Sequence, residues 1–206
     1  PPLFLWLQAL SMSVFGVGEY AARFPNAIAG IATLCLLYFW GKKWGNPLLG
    51  RFWALAYLGS VLPHLYFRSG IIDPWFNLFI FLSLATWIQY HNEGGRHRAL
   101  VAGAFLGLAV LTKGPVAWLI GLLVLAGKMI WDRGKPAWKP EGLGLFVLST
   151  LSVASSWFVL ETLLHGPEFM QEFFRYQIKL LSTEDAGHGG FPGFHFAVVL
   201  LGCFPA

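Results

Sequence analysis

The sequence is short of charge. Lys, Arg, Asp and Glu make up 12% of its 206 residues, where a soluble globular domain carries roughly 25%. No stretch of soluble-domain length is free of apolar runs, which excludes a separate globular domain. Cysteine is almost absent. Cys35 and Cys203 both lie inside apolar segments, where they are expected to be small buried hydrophobes and carry no information on redox compartment. There is no initiator Met, no signal peptide, no low-complexity tail and no internal repeat. The net charge of +4 does not point to nucleic acid, because the basic residues fall in loops between apolar runs.

What the sequence does have is apolar and aromatic. It is 56% hydrophobic, with 24 Gly, 19 Phe and 10 Trp, the balance of a helical membrane protein. The expected fold is all-α, a polytopic transmembrane bundle of about seven spans plus interfacial helices, forming one domain over residues 1–206. The ends, Pro1-Pro2 and Pro205-Ala206, suggest a piece that lacks an N-terminal span, a first outer loop and a C-terminal part.

Residues 3–15 are apolar but shorter than the roughly 20 residues a span needs, so they read as an interfacial helix. A polar hinge at 18–25 precedes a first span over 27–40, which ends in a turn at 41–47 with two lysines. A second span covers 48–67 and a third 74–90, separated by the polar turn Arg68-Ser69-Gly70-Ile71-Ile72-Asp73-Pro74. After a loop at 91–98, residues 99–131 are too long for one span. Thr112-Lys113-Gly114-Pro115 is the natural break, since Pro is tolerated at the start of a new helix. A loop at 132–141, a sixth span at 143–160 and a polar region at 161–192 follow. That region holds an amphipathic stretch at 167–181, expected to lie on the outer surface as a lid, and a last apolar run starts near 194.

Alternate loops differ in charge. One set holds Lys42, Lys43, Arg51, Arg96, Arg98, Lys128, Arg133, Lys135 and Lys139 against three acids. The other holds Arg23, Arg68, Lys113, Arg175 and Lys179 against seven acids. The positive-inside rule assigns the first set to the cytoplasm. The Arg68–Pro74 turn, the Glu19/Arg23 hinge, Lys113 and the long polar region then share the outer face.

Polar residues between spans are costly unless they face water or one another, so these are the candidates for chemistry. Asp73 stands before Pro74 at a helix start. It can be an N-cap at the positive end of the helix dipole, a catalytic or metal-binding carboxylate, or both. Lys113 can snorkel to the interface or meet a phosphate beside the helix begun by Pro115. Arg68 has the same two readings. Glu19 and Arg23, four residues apart, can pair on one helix face or join the site as catalytic and substrate-binding groups. Residues 184–195 hold four glycines, two acids, His188 and His195. His188 suits acid–base work or metal ligation, and His195 completes the substrate-binding candidates. With Asp73 and His188 as ligands, a divalent metal ion is the one cofactor considered.

As a series, PPL-x-x-W-LQALS, FG-x-x-E-x-AAR-x-P, RS-x-x-x-DP, LTKGP and H-G-G-F-P resemble one bacterial family across nearly the whole chain. It is the GT-C membrane glycosyltransferases of the dolichyl-phosphate-mannose protein mannosyltransferase group, which includes aminoarabinose transferases that modify lipid A. The resemblance implies inverting transfer of a sugar from a polyprenyl-phosphate donor to a lipid, glycan or protein acceptor. The reaction would take place on the outer face of the bacterial inner membrane. It implies that Asp73 serves catalysis or metal binding, that Lys113 lies near the donor phosphate, and that His188 lies close by. The family's leading acid and its Lys-Pro-Pro lysine are expected upstream of Pro1. Gly193-Phe194-His195 departs from the aromatic residues of the lipid A enzymes, which leaves the acceptor open. The alternatives are a transporter or flippase, which would place polar residues at broken helices near mid-span, and a membrane scaffold with no convergence of acids and cations.

Overall fold

The structure is a computed structural model that describes residues 2–131, 140–182 and 194–204. The described residues are helical, with no strand among them. In chain order the helices are α1 (Leu3–Phe15), α2 (Glu19–Trp44), α3 (Pro47–Gly59), α4 (Val61–Arg68), α5 (Asp73–Glu93), α6 (Arg96–Lys113), α7 (Val116–Trp131), α8 (Pro140–His165), α9 (Glu168–Ser182) and α10 (Phe194–Gly202). Helix α2 and helix α8 are each long and apolar enough to cross a membrane. Helices α4 and α5 together make a third candidate, bent by 117° at the Arg68–Asp73 turn. The other apolar runs fold into shorter or more polar helices, so length and hydropathy alone license two or three spans here, of the seven expected.

Two boundaries and one burial expectation differ from the sequence reading. The expected hinge at 18–25 is helical, and Pro25 sits buried inside α2. As the seventh residue of the helix it removes the bond to the Ala21 carbonyl and crowds that oxygen with its ring, a cost α2 carries without breaking. The expected span 48–67 is two helices broken at Ser60, whose backbone is extended (φ −74°, ψ 138°). Pro63 explains the break, since a continuous helix would need its N–H and would drive its ring into the carbonyl of Gly59. Restarting at Val61 puts Pro63 in a first turn, where no N–H is required. The freed backbone finds α10, with Val61 N–H donating to the Phe204 carbonyl at 3.3 Å. The Ser60 hydroxyl donates to the Ala56 carbonyl at 2.8 Å and lies 3.3 Å from that of Cys203. The third correction is to the cysteines, which are both exposed. Cys35 stands on an outward face of α2, and Cys203 in the turn just past the end of α10.

The core lies where α5, α6, α7 and α8 meet, around Phe76, Phe79, Leu106, Val110, Ala117 and Phe146. Helices α6 and α8 touch along Gly103 and Gly107. A Cβ on Gly103 would run into the Phe146 carbonyl, and one on Gly107 would come 2.7 Å from the Val153 Cβ. Small residues four apart let two helices approach this closely where lipid supplies no hydrophobic drive between them. Hydroxyls add cross-helix bonds, from the buried Ser83 on α5 to the Ala102 carbonyl at 2.8 Å and from the more exposed Ser149 on α8 to that of Leu100 at 2.7 Å. Outward faces carry large apolar side chains such as Leu123, Leu148 and Leu163. Such a surface suits hydrocarbon and would be a liability in water.

Charge separates to the two ends of this bundle. At one end Glu93 of α5 meets Lys43 of α2 and Arg98 of α6, each at 2.8 Å, and Arg96 reaches Glu141 of α8 at 3.2 Å. Asp73 starts α5 and Lys113 ends α6, so both belong to the opposite end.

Candidate active site

The site is built on the Arg68–Pro74 turn. Asp73 occupies the first turn of α5, and Ile72 stands at the cap position without a side-chain bond to the helix. The N-cap reading of Asp73 is therefore corrected. A residue already inside the helix cannot bend its carboxylate back onto the N–H groups ahead of it, and its oxygens are turned elsewhere. Oδ1 accepts from the Lys113 ammonium at 2.6 Å. The side chains are 28% and 41% exposed respectively, so the pair is half in water and open to a ligand.

Lys113 is placed by the end of α6. Gly114 follows it at φ +86°, a backbone that glycine adopts without strain, and its N–H closes onto the Val110 carbonyl at 2.7 Å. The chain then turns at Pro115 into α7, as the Thr112–Pro115 spacing predicts. The Lys113 ammonium also lies 5.5 Å over the Phe76 ring, so a cation–π contact and an ion pair orient one group. An ammonium has three N–H donors. Asp73 takes one, which leaves capacity for an anionic oxygen beside it.

Asn26 on α2 was not among the sequence candidates. It is fully buried, and its Nδ2 donates to the carbonyls of Ser69 at 2.6 Å and Ile71 at 2.7 Å. It ties α2 to the turn that presents Asp73. The signal was a lone amide in an apolar run, which must find partners when buried. Gln8 of α1 makes a matching tie, its Nε2 donating to the Ala22 carbonyl at 3.0 Å.

The remaining candidates divide. Arg68 ends α4 and its Nη1 lies 3.3 Å from His64 Nε2, one turn back. Glu19 and Arg23 pair with each other at 3.1 Å while 84% and 54% exposed. No ion pair or hydrogen bond joins them to Asp73 or Lys113 among the described residues. His188 lies outside the described residues. His195 is in the first turn of α10, and its side chain is outside what the structure describes. No group of three or more His, Cys, Asp or Glu side chains that could hold a metal ion occurs among the described residues. The Asp73 carboxylate faces the Lys113 ammonium, and the other expected ligand, His188, lies outside the described residues.

Between α5, α6, α7 and α8 lies an apolar chamber of about 240 Å³, lined among others by Ile80, Trp87, Leu106, Trp118 and Phe146 and not by Asp73 or Lys113. Ile80 is seven residues along α5 from Asp73, about 10 Å at 1.5 Å per residue. A second chamber of about 420 Å³ shares Leu84, Trp87 and Leu125 with it and ends near His91.

With this geometry in place, similarity to known proteins becomes informative. Residues 1–159 match the family described as dolichyl-phosphate-mannose-protein mannosyltransferase. The chain is 31% identical over 211 residues to an undecaprenyl phosphate-alpha-4-amino-4-deoxy-L-arabinose arabinosyl transferase of Pseudomonas aeruginosa strain UCBPP-PA14, covering 97% of this chain and 37% of that protein. It is 30% identical over 189 residues to the corresponding transferase 2 of Pseudomonas fluorescens Pf-5, covering 89% and 32%. The fold matches the crystal structure of ArnT from Cupriavidus metallidurans bound to undecaprenyl phosphate, with a TM-score of 0.88, 23% identity, and coverage of 100% of this chain and 38% of that one. The apo structure of the same protein matches with a TM-score of 0.84. The chain thus spans about a third of the length of these relatives.

Proposed function

The chain belongs to the dolichyl-phosphate-mannose-protein mannosyltransferase family, and from that we propose that the whole protein is an inverting glycosyltransferase using a polyprenyl-phosphate sugar donor. The observation that carries this reading is the Asp73–Lys113 pair, 2.6 Å apart and partly open to solvent, in a bundle whose α5–α8 core holds an apolar chamber. A lipid-linked sugar phosphate needs both features: a cation for its phosphate and a dry slot for its chain. The acceptor is a lipid, glycan or protein presented at the same face. On loop charge, that face is the periplasmic side of the bacterial inner membrane.

The roles follow from chemistry at named atoms. An acceptor oxygen attacks the anomeric carbon from the side opposite the phosphate, giving its proton, where it is a hydroxyl, to the Asp73 carboxylate as general base; the carbon–oxygen bond to phosphate breaks, and polyprenyl phosphate departs with the electron pair. Charge grows on the departing oxygen, where the N–H donors of Lys113 not taken by Asp73 stabilise it. Asp73 holds that ammonium in place and supplies a carboxylate beside the reacting centre. Arg68, five residues before Asp73 at the end of α4, is a second cation for the phosphate. His188 and His195 belong to the same proposal through their sequence positions. The transporter alternative finds no support in the family or in the relatives described above.

The test is mass spectrometry of lipids and envelope glycans from cells with and without the gene. A sugar addition that disappears with the gene, and returns with the wild-type copy but not with Asp73→Asn, supports the reading. An unchanged lipid and glycan profile alongside altered uptake or export of an anionic solute would overturn it.

A further inference from the structure

We propose that Asn26 is the positioning residue of this site: by holding the Ser69 and Ile71 carbonyls it fixes the turn that sets Asp73 against Lys113. The inference rests on the reading that this pair is the working centre. Three observations carry it. Asn26 is fully buried, and its Nδ2 spends both hydrogens on carbonyls two residues apart, at 2.6 and 2.7 Å. Because both partners are acceptors, only the amine end of the amide can face them. Those carbonyls belong to residues 43 and 45 positions further along the chain, so the bonds join α2 to the turn and do not merely close a local loop.

The Asn26 Oδ1 is buried with no hydrogen-bond partner. An unpaired buried acceptor is a cost that folded proteins ordinarily avoid, and an apolar side chain of similar size would avoid it here. The amide is retained where the two bonds it makes are needed. What they hold is a segment with no regular structure of its own. Residues 69–72 link α4 to α5 across a 117° bend, and neither the Ser69 nor the Ile71 carbonyl lies within a helix that would take it up. Asp73 follows Ile71 by two residues, so a shift of that carbonyl carries the carboxylate with it. Lys113 reaches the site from α6 and has no covalent link to the turn. The 2.6 Å contact therefore depends on where α2 holds the turn.

The test reads the geometry of the pair without requiring turnover. A water-soluble carbodiimide joins a carboxylate to an amine in contact, forming an amide while the reagent takes up the elements of water. In the full-length protein in detergent, wild type is expected to yield a peptide linked between residues 73 and 113, seen by mass spectrometry. Asn26→Leu keeps the volume and removes both donors. Its early cross-linking rate, taken on the monodisperse helical fraction, is expected to fall on the order of tenfold, since each buried bond contributes roughly a factor of five to the population of the held form. Asn26→Asp keeps the shape, replaces the donating end by oxygen, and is expected to fall likewise, which serves if the leucine variant does not fold. A lower melting temperature with an unchanged 73–113 cross-linking rate in either variant would overturn the proposal and leave Asn26 as ordinary packing. The functional reading fails separately: loss of the cross-link together with undiminished sugar transfer upholds the positioning role and removes the pair from the mechanism.

Discussion

Replacing Asp73 with Asn tests whether its carboxylate acts chemically or only steadies Lys113. The two roles predict losses of different size. The substitution keeps the shape of the side chain and an oxygen that can still accept from Lys113, but removes the charge from a 2.6 Å contact. A hydrogen bond to a charged group is worth about 1.5–3 kcal/mol. Here one partner is 28% and the other 41% exposed, and solvent screening pushes such pairs toward about 1 kcal/mol. Loss of steadying alone therefore costs about 1–2 kcal/mol, or roughly 5- to 30-fold in kcat/KM at 1.36 kcal/mol per decade. Loss of a general base adds a factor of about 10² to 10⁴. The assay is transfer from a labelled polyprenyl-phosphate sugar to acceptor in detergent, with expression and gel-filtration profile matched to wild type. A loss above about a hundredfold assigns the carboxylate to the chemical step by that arithmetic, and a loss of roughly 5- to 30-fold assigns it to holding Lys113. Unchanged activity refutes both roles. The Asp73→Asn/Lys113→Met double variant gives a second reading, because partners in contact are non-additive whereas independent residues multiply.

Lys113→Ala should weaken binding of the donor phosphate, by roughly 1.5–3 kcal/mol if the ammonium bonds it directly; equilibrium binding of polyprenyl phosphate measures this, and unchanged affinity removes the phosphate role. Gly107→Val should place side-chain atoms against Val153 and the Thr150 carbonyl and destabilise α6–α8 packing by about 1–3 kcal/mol, read as a lower melting temperature in detergent. Glu19→Gln removes an exposed i,i+4 pair worth about 0.3–0.5 kcal/mol, so stability should barely change; a large loss of transfer would instead bring Glu19 into the site. Glu93, at the basic end of the bundle, is held below the usual carboxylate range chiefly by the hydrogen bond from Lys43, against some desolvation, with further help from the charges of Lys43 and Arg98. A depressed folded-state value means its contribution is present above the ordinary pKa of about 4.3 and is lost as pH falls through the lower folded value. Melting between neutral pH and pH 3 should accordingly show a smaller acid-side decline in Lys43→Met than in wild type.

How much of this was legible beforehand depended on whether a residue belonged to a pattern. Lys113 and Asp73 are forty positions apart, yet the alternation of apolar runs placed one at the end of a helix and the other at the start of its neighbour. Two antiparallel helices joined by a short loop have those positions at one end. The break at Thr112–Pro115 was legible because Gly and Pro act locally on the backbone. The break at Ser60 was hidden, since Leu48–Phe67 is apolar but for Arg51, Ser60 and His64 and hydropathy cannot register a missing N–H. Pro63 held that information, in a steric form that acts on Gly59, four residues before it. The N-cap reading of Asp73 failed on a shift of a single residue: Ile72 took the cap position, and the carboxylate was released for Lys113. Asn26 announced only a need for partners, as a lone amide in an apolar run, and not which ones, because the carbonyls it binds belong to an irregular turn in another part of the chain.

That last case bears on how the site works. The ion pair joins α5 to α6, two helices already fixed by core packing and by the Ser83 bond to Ala102. Asp73 is the first residue of α5, where that packing gives way to the irregular turn at 69–72, and the turn is tied to α2 by the buried Asn26 amide. Rigid helices therefore set where Lys113 stands, and Asn26 sets where Asp73 meets it. A substitution in the α6–α8 interface should lower stability and activity together, because it moves the frame. A substitution at Asn26 should separate them, losing the alignment of Asp73 while the α5–α8 core stays packed. Measuring melting temperature and cross-linking on the same Gly107→Val and Asn26→Leu samples would show that separation. If the two variants instead fell on one line relating stability to cross-linking, the turn would be held by global packing and the division of labour argued for Asn26 would fail.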